Sequence, residues 1–364
     1  MQPLWTESFG NPASVEHQRG LAAADRVEAA RQEIARAIGA EAREIVFTSG
    51  ATEANNIAVL GAARFRAAHE GRRRVLVFET EHSCVLGAAQ ALAEEGFEVV
   101  RLPVNTEGRA DLGALETALN TQTALVCLMT ANNEVGTIQP VAQAAALAHT
   151  AGAWVHSDAA QAVGKIEVNV RALDVDLLSL SGHKIYGPMG IGALFVRRRP
   201  RVRLAPLVHG GGQERGLRAG TLPMPLIVGL GHAITLAEAA RVATTARHAS
   251  LREGLLQRLN RSGLRYSLNG TASPEQRLPG NLSLSFPDLP REALFAAMAA
   301  HSIAVSSGSA CASHDVAPSH VLTAMGVSAA LAQQTLRIGL GRDTSEADLI
   351  ALEKALLTAR AKAA

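Results

Sequence analysis

The residues of this sequence best suited to chemistry are a lysine, an aspartate and a cysteine that lie far apart along the chain. Lys184 sits in SGHKIYGP, directly after the apolar run DLLSLS, among small residues and a histidine. Lysines are normally solvated surface charges, so a lysine closing a buried-looking strand asks for a reason. Asp158 closes a second apolar run, AWVHSD, with Gln161 one turn further on. Alone, Asp158 reads as an ordinary helix cap. In an open parallel sheet, however, ligands sit beyond the carboxyl ends of the strands, where two such ends can turn an amine and a carboxylate into one cavity.

An amine forms a Schiff base with an aldehyde, and an anion beside a pyridine nitrogen keeps it protonated so that the ring draws in electrons. A third segment, FTSGATEANN, reads as strand, small-residue turn and helix start. Free N–H groups and the Thr52 hydroxyl at such a terminus suit a dianionic phosphate, although many helices begin this way with nothing bound. Aldehyde, pyridine and phosphate are the parts of pyridoxal phosphate. Cys311 lies in SSGSACASHD, where glycine and serines surround the thiol without apolar periodicity, the pattern of a mobile loop. A free thiol is mostly protonated at neutral pH, so a nearby positive charge or base is needed to activate it; His314 and Arg337 are the candidates.

The elements that must position these residues follow from hydropathy spacing. Residues 21–38 carry apolar and alanine positions at helical spacing, with Gly39 as the stop. Short apolar runs then alternate with Ala-rich helical stretches: EIVFTS, RRVLVFE, FEVVRLP, TALVCLM, AWVHSD, DLLSLSG and GALFVRR. That is the rhythm of an α/β protein with a parallel sheet. After a helical stretch around 227–259 the pattern changes to YSLNG, NLSLSFP, a helix over 291–300, IAVSSGS, TLRIGLG and a helix from 344, which predicts a smaller α+β domain. We place the boundary so that 1–242 form the large domain and 243–364 the small one. GPMGIGA and HGGGQERG lack the dinucleotide fingerprint, which argues against a nicotinamide enzyme.

Composition limits the partners. The 364 residues carry a net charge of only +2, and the basic residues, including the run RRRPRVR at 197–203, lack interleaved aromatics, so nucleic acid is not expected. Three scattered cysteines argue against a disulfide framework and for a reducing compartment. Cys127, in TALVCLM, reads as core, and Cys84 as structural. No leader pattern and no run of about 18 uncharged apolar residues is seen, so no membrane partner and a cytoplasmic location are expected.

The strings SGATE, TEHSCV, ANNEVG, HSDAAQAVGK, SGHKIYGP, GGGQERGLRAGT, SSGSAC and RIGLGR, in this order over almost the whole chain, resemble the NifS/IscS-type cysteine desulfurases of aminotransferase class V. The resemblance implies the fold type I of pyridoxal-phosphate-dependent transferases, with a mainly parallel seven-stranded sheet and a smaller C-terminal domain. It implies that Lys184 carries the cofactor, Asp158 pairs with the ring nitrogen, Gln161 hydrogen-bonds the ring hydroxyl, and His82 stacks on the ring and helps move protons. Asn133 would lie beside the ring and the substrate. The phosphate would be held by Ala51, Thr52, Ser181, Gly182 and His183, with Thr221 reaching in from a second subunit of a homodimer. Arg337 would clamp the carboxylate of L-cysteine, a task suited to its planar fork. Cys311 would take the sulfur as a persulfide, releasing L-alanine, and pass it to an iron–sulfur scaffold or another acceptor. No resident metal is implied, Cys311 serving at most as a transient cluster ligand.

A selenocysteine lyase or related β-lyase shares the lysine, aspartate and phosphate contacts, with SSGSAC favouring the desulfurase; a non-catalytic scaffold is the remaining alternative. Family members also start with a further strand and an Ala-Thr-Thr-Pro turn lining the substrate site, so Met1 is expected to be internal to a longer natural chain.

Overall fold

Strands such as IVFT, TALVC and LLSLS are buried at every position rather than at alternate ones, as strands covered on both faces by layers of helix must be. The computed structural model, which describes residues 1–307 and 318–363, places them in one sheet of β1 (Ile45–Thr48), β2 (Arg74–Phe78), β3 (Glu98–Leu102), β4 (Thr123–Cys127), β5 (Trp154–Asp158), β6 (Leu177–Ser181) and β7 (Gly192–Val196). Their order is β1-β7-β6-β5-β4-β2-β3. The ladders β3–β2, β2–β4, β4–β5 and β5–β6 are parallel, whereas β7 runs antiparallel to both β6 and β1. The mainly parallel α/β sheet expected from the sequence is present with one strand reversed. Residues 182–191 are too short a link for a helical crossover, so β7 folds back beside β6.

The flanking helices are α1 (Gln2–Thr6), α2 (Gln18–Ala37), α3 (Ala51–Glu70), α4 (Ser83–Glu94), α5 (Leu112–Ala118) and α6 (Val141–Thr150). α2 starts where the His17 imidazole accepts the Gly20 N–H and stops before Gly39, whose φ of +68° only glycine adopts cheaply. α3 lays Ala54, Ile57 and Ala58 on Val46, Leu125, Leu177 and Leu194; its small alanines let the helix approach the sheet closely. Each large apolar side chain buried in this way contributes about 1.5–3 kcal/mol. Cys127 is part of this core, as expected.

Two compact units divide the chain. The first holds 1–102, 111–130 and 140–241; the second holds 103–110, 131–139 and 242–364. The second thus includes two short segments that a single cut at residue 242 leaves with the first. Main-chain bridges Val104–Ala110, Ala131–Ile138 and Thr137–Arg277 knit them together.

The long helix α7 (Met224–Ser262) starts in the first unit and ends in the second. By length and composition it contains a stretch apolar enough to cross a membrane, yet no run of about 18 uncharged apolar residues, in keeping with the sequence. The reading required an uncharged run, and Glu238 and Arg241 interrupt this one. Met224, Ile227, Leu230 and Ile234 recur at helical spacing on a buried face of that stretch.

The second unit continues with β8 (Ser267–Leu268), β9 (Asn281–Ser285), α8 (Arg291–Ala300), α9 (His320–Ala324), α10 (Ala329–Gln333), β10 (Thr335–Gly339) and α11 (Glu346–Ala363). Its strands form an antiparallel sheet, β10-β9-β8. Leu282, Leu284, Leu336 and Ile338 pack with Leu294 and Met298 of α8 and Leu352 and Leu356 of α11. Of the run 303–309 read as a strand, the described part joins the sheet only through one bridge, Ser306 to Arg337.

Candidate active site

Asp158 is the last residue of β5 and is 6 % exposed. Its Oδ2 accepts from Asn55 Nδ2 at 2.6 Å and its Oδ1 from the Ala160 N–H at 2.9 Å. Its carbonyl accepts the Thr130 N–H at 2.8 Å. In the parallel β5–β6 ladder Asp158 stands opposite Ser179. β6 ends two residues later, and a single 3-10 turn over 182–185 then presents Lys184, exposed, at the same edge of the sheet. The amine and the carboxylate therefore leave the carboxyl ends of neighbouring strands, as the spacing predicted. Gln161, in the turn after Asp158, accepts at Oε1 from Lys165 Nζ at 2.6 Å. Burial and the nearby Lys184 charge push the Lys165 amine down to about 8.

The start of α3 has the features of an anion cradle. Gly50 occupies the N-cap position with φ +152°, and no side chain caps the helix, so the first N–H groups have no intrahelical acceptor. Ala51 is half-buried and Thr52 exposed there. A Cβ on Gly192 of β7 would lie 2.7 Å from the Gly50 Cα, so glycine alone permits this approach, and a Cβ built on Gly50 would lie 4.0 Å from the Ser181 Oγ. Ser181 Oγ is 3.0 Å from His183 Nδ1. Burial and the Lys184 charge lower the pKa of His183 and favour its neutral ring. Gly182 is buried, and a Cβ there would meet Ile191 and the Pro188 carbonyl at 3.0 Å. Helix terminus, hydroxyl and imidazole thus come together as a phosphate requires.

His82 is half-buried at the N-cap of α4, where its Nδ1 accepts the Cys84 N–H at 3.3 Å. The same Nδ1 is 3.0 Å from Cys84 Sγ, and Asn55 Nδ2 donates to that sulfur at 3.1 Å. Burial pushes the thiol up to about 11. Glu81, fully buried, accepts the Met129 N–H, and burial raises its carboxyl to about 8. His82, Cys84 and Asp158 bring N, S and O atoms within 4.8 Å of one another. The Asn55 amide donates into that gap and bonds both the sulfur and the carboxylate.

The segment ending in Thr221 is braced from below. Buried Glu214 accepts two hydrogen bonds from Arg31, at 2.9 and 2.8 Å, and the Phe47 N–H at 2.8 Å. Arg218 donates to Glu53 of α3 at 2.8 Å. Thr221 itself is exposed on its own chain.

In the second unit, half-buried Arg337 of β10 donates from Nη1 to the Asn133 carbonyl at 3.4 Å, and its main chain exchanges hydrogen bonds with Ser306 at 2.7 and 3.3 Å. Asn133 is half-buried in a turn whose neighbour Asn132 accepts the Glu134 and Val135 N–H groups at 2.8 and 2.9 Å. Cys311 and His314 lie outside the described residues.

Sequence reasoning missed Asn55, Lys165 and Glu81 and read Cys84 as merely structural. Asn55 lies one turn of helix beyond Thr52, a spacing that aims both at one end of the sheet and was the available signal. The partners of Cys84 and Glu81 depend on tertiary placement.

The model of the class-V aminotransferases matches residues 1–352. Cysteine desulfurase IscS of Anaeromyxobacter dehalogenans is 48 % identical over 96 % of this chain and 85 % of its own length. Cysteine desulfurase IscS of Rickettsia bellii is 46 % identical over 96 % of this chain and 84 % of its own. Among solved structures, a NifS-like protein superposes with a TM-score of 0.88 and 35 % identity, covering 97 % of this chain and 92 % of that one.

Proposed function

The chain belongs to the aminotransferase class-V family, and on that footing we propose that it is a cysteine desulfurase, converting L-cysteine to L-alanine and passing the sulfur on as a persulfide. The observation that carries this reading is the emergence of Asp158 and Lys184 from neighbouring strand ends, beside an uncapped helix terminus. These residues fit pyridoxal phosphate. A carboxylate ready to accept from a pyridinium, an amine for the aldehyde and an anion cradle are its three requirements. When bound, this cofactor supplies an electron-withdrawing ring that weakens bonds around the α-carbon of an amino acid.

The chain's own groups then divide the work. Ala51 and Thr52 would hold the phosphate through their N–H groups, with Ser181, Gly182 and His183 beside them and Thr221 donated by the partner of a homodimer. Asp158 would keep the ring nitrogen protonated, Gln161 would donate to the ring oxygen with Asn133 beside it, and His82 would stack on the ring. Lys184 would hold the aldehyde and, when its amine is free, would serve as the base for the α-proton. Arg337 receives the substrate carboxylate. The Cys311 thiolate attacks the substrate sulfur: an S–S bond forms, the C–S bond breaks with its electron pair moving to carbon, and protonation there gives alanine. An iron–sulfur scaffold is the acceptor we favour. Exposed Tyr186, Met189 and Leu236 support a homodimer, because large apolar side chains left in water commonly mark an interface.

The test supplies pyridoxal phosphate, L-cysteine and a thiol reductant, and measures alanine, sulfide and the visible band of the lysine-bound cofactor. Cys311→Ala should keep the band and lose sulfide release; Lys184→Ala should lose both. A wild-type protein that binds the cofactor yet yields no alanine would overturn the reading.

A further inference from the structure

Cys84 touches the two side chains, His82 and Asn55, that adjoin the proposed ring site, and no step above uses its sulfur. We propose that Cys84 is a positioning residue: its thiol donates to His82 Nδ1 and thereby keeps the ring proton of that imidazole on Nε2. The catalytic consequence rests on the reading that places His82 over the cofactor; the proton placement does not.

The direction of each hydrogen bond follows from chemistry. The Cys84 main-chain N–H can only donate, and it points at His82 Nδ1 from 3.3 Å, so that nitrogen presents its lone pair. Sγ lies 3.0 Å from the same nitrogen. With no hydrogen on Nδ1, the sulfur must be the donor. The sulfur in turn accepts from Asn55 Nδ2 at 3.1 Å. The orientation of that amide is set by Asp158, because an ionised carboxylate only accepts and Nδ2 stands 2.6 Å from Oδ2. The reverse orientation would turn the amide oxygen against the carboxylate. Asn55 Oδ1, buried, has no hydrogen-bond partner among the described residues, so the amide keeps this orientation although its own oxygen goes unsatisfied. The result is a one-way chain from the Asn55 amide to the Cys84 sulfur to the His82 ring. Burial, aided by the charge of Asp158, pushes the thiol up to about 11, which leaves the sulfur its proton throughout the neutral range.

A histidine that must move protons above a ring works from one defined tautomer. Here the N-cap role of Nδ1 fixes the ring's orientation, and the thiol adds a second donor to the same nitrogen, so only Nε2 carries a proton to give. The titratable groups about this nitrogen are Asp158 from β5, Glu81 from the end of β2, Cys84 itself and, in the proposed site, Lys184.

The test uses the cofactor-loaded protein labelled with ¹⁵N in its histidines, with His82→Gln identifying the His82 signals. Wild type should show Nε2–H and an unprotonated Nδ1. Cys84→Ala, which keeps the main-chain N–H but loses the thiol donor, should raise the fraction of rings protonated on Nδ1 and lower kcat about threefold to tenfold, in line with the loss of one hydrogen bond, with KM for cysteine unchanged. Cys84→Ser, which keeps a donor, should restore both. Band intensity and melting temperature check that the variants are folded and loaded. A wild-type ring protonated on Nδ1, or a Cys84→Ala protein with the tautomer and kcat of wild type, would overturn the proposal. A wild type with the expected tautomer but no alanine formation would leave the proton placement standing and remove the desulfurase reading instead.

Discussion

The edge of the large sheet and the turn-and-strand pair of the second unit hold their polar groups in different ways. Around Asp158 every contact is short and comes from main chain or a buried amide: 2.6 Å from Asn55, 2.9 Å from the Ala160 N–H, and 2.8 Å between the Thr130 N–H and its carbonyl. Around Arg337 the guanidinium reaches the Asn133 carbonyl at 3.4 Å, and the same residue pairs its main chain with Ser306, next to the segment that carries Cys311. A group that serves a resident ring can be held permanently, and a preorganised dipole costs no reorganisation at the moment of reaction. In its proposed role Arg337 receives and releases a substrate carboxylate at each turnover, and its hydrogen bond to the Asn133 carbonyl is longer than those that Asp158 accepts.

Four measurements would break or sharpen this contrast. The largest effect belongs to the frame: Glu214→Gln leaves buried Arg31 with only the half-exposed Glu28 as a carboxylate partner, and urea unfolding should show a loss of about 3–5 kcal/mol. Next, if Asp158 pairs with the ring nitrogen as proposed, Asp158→Asn removes an anion worth about 1–3 pKa units to the ring, so alanine formation should fall about 10–10³-fold while the protein still binds cofactor. Arg337→Ala should then act on affinity, raising KM for cysteine about 10–100-fold with the visible band unaltered. If Arg337→Ala instead removed the band, the division between a fixed cofactor edge and a looser substrate end would be wrong.

The smallest effect is a pH slope. Glu81 is raised from 4.5 to about 8, so the folded state keeps a proton the unfolded chain has lost, and stability falls as pH rises through that window. His156 is lowered from 6.5 to about 3, so the unfolded chain gains a proton first, and stability falls as pH drops below 6.5. Each slope is at most about 1.4 kcal/mol per pH unit. Melting curves of Glu81→Gln should lose the decline between pH 4.5 and about 8 and keep the one below 6.5.

Much of this was legible because it is local. Unbroken apolar runs located the seven strands, and Gly39 and Gly50 marked where α2 stops and α3 begins. Lys184 and Asp158 could be paired because each closes such a run. What stayed hidden was non-local: β7 looks like its parallel neighbours until the shortness of 182–191 is considered, and residues 131–139 join the second unit through Arg277, which is far away in sequence. Cys84 stood close enough to His82 to be near the site, but its contact with Asn55 arises only once α3 and α4 are packed.

The reversed strand also has a bearing on biosynthesis. β1, which leads into the anion cradle at α3, pairs among the described residues with β7 alone, and at ~5–20 residues per second the roughly 145 residues between them take about 7–30 s to emerge from a ribosome. During that interval IVFT, an uncharged apolar segment, has no ladder to join. A nascent chain halted before Gly192 should therefore bind chaperones through it and fail to retain cofactor, whereas one released after Val196 can close the sheet.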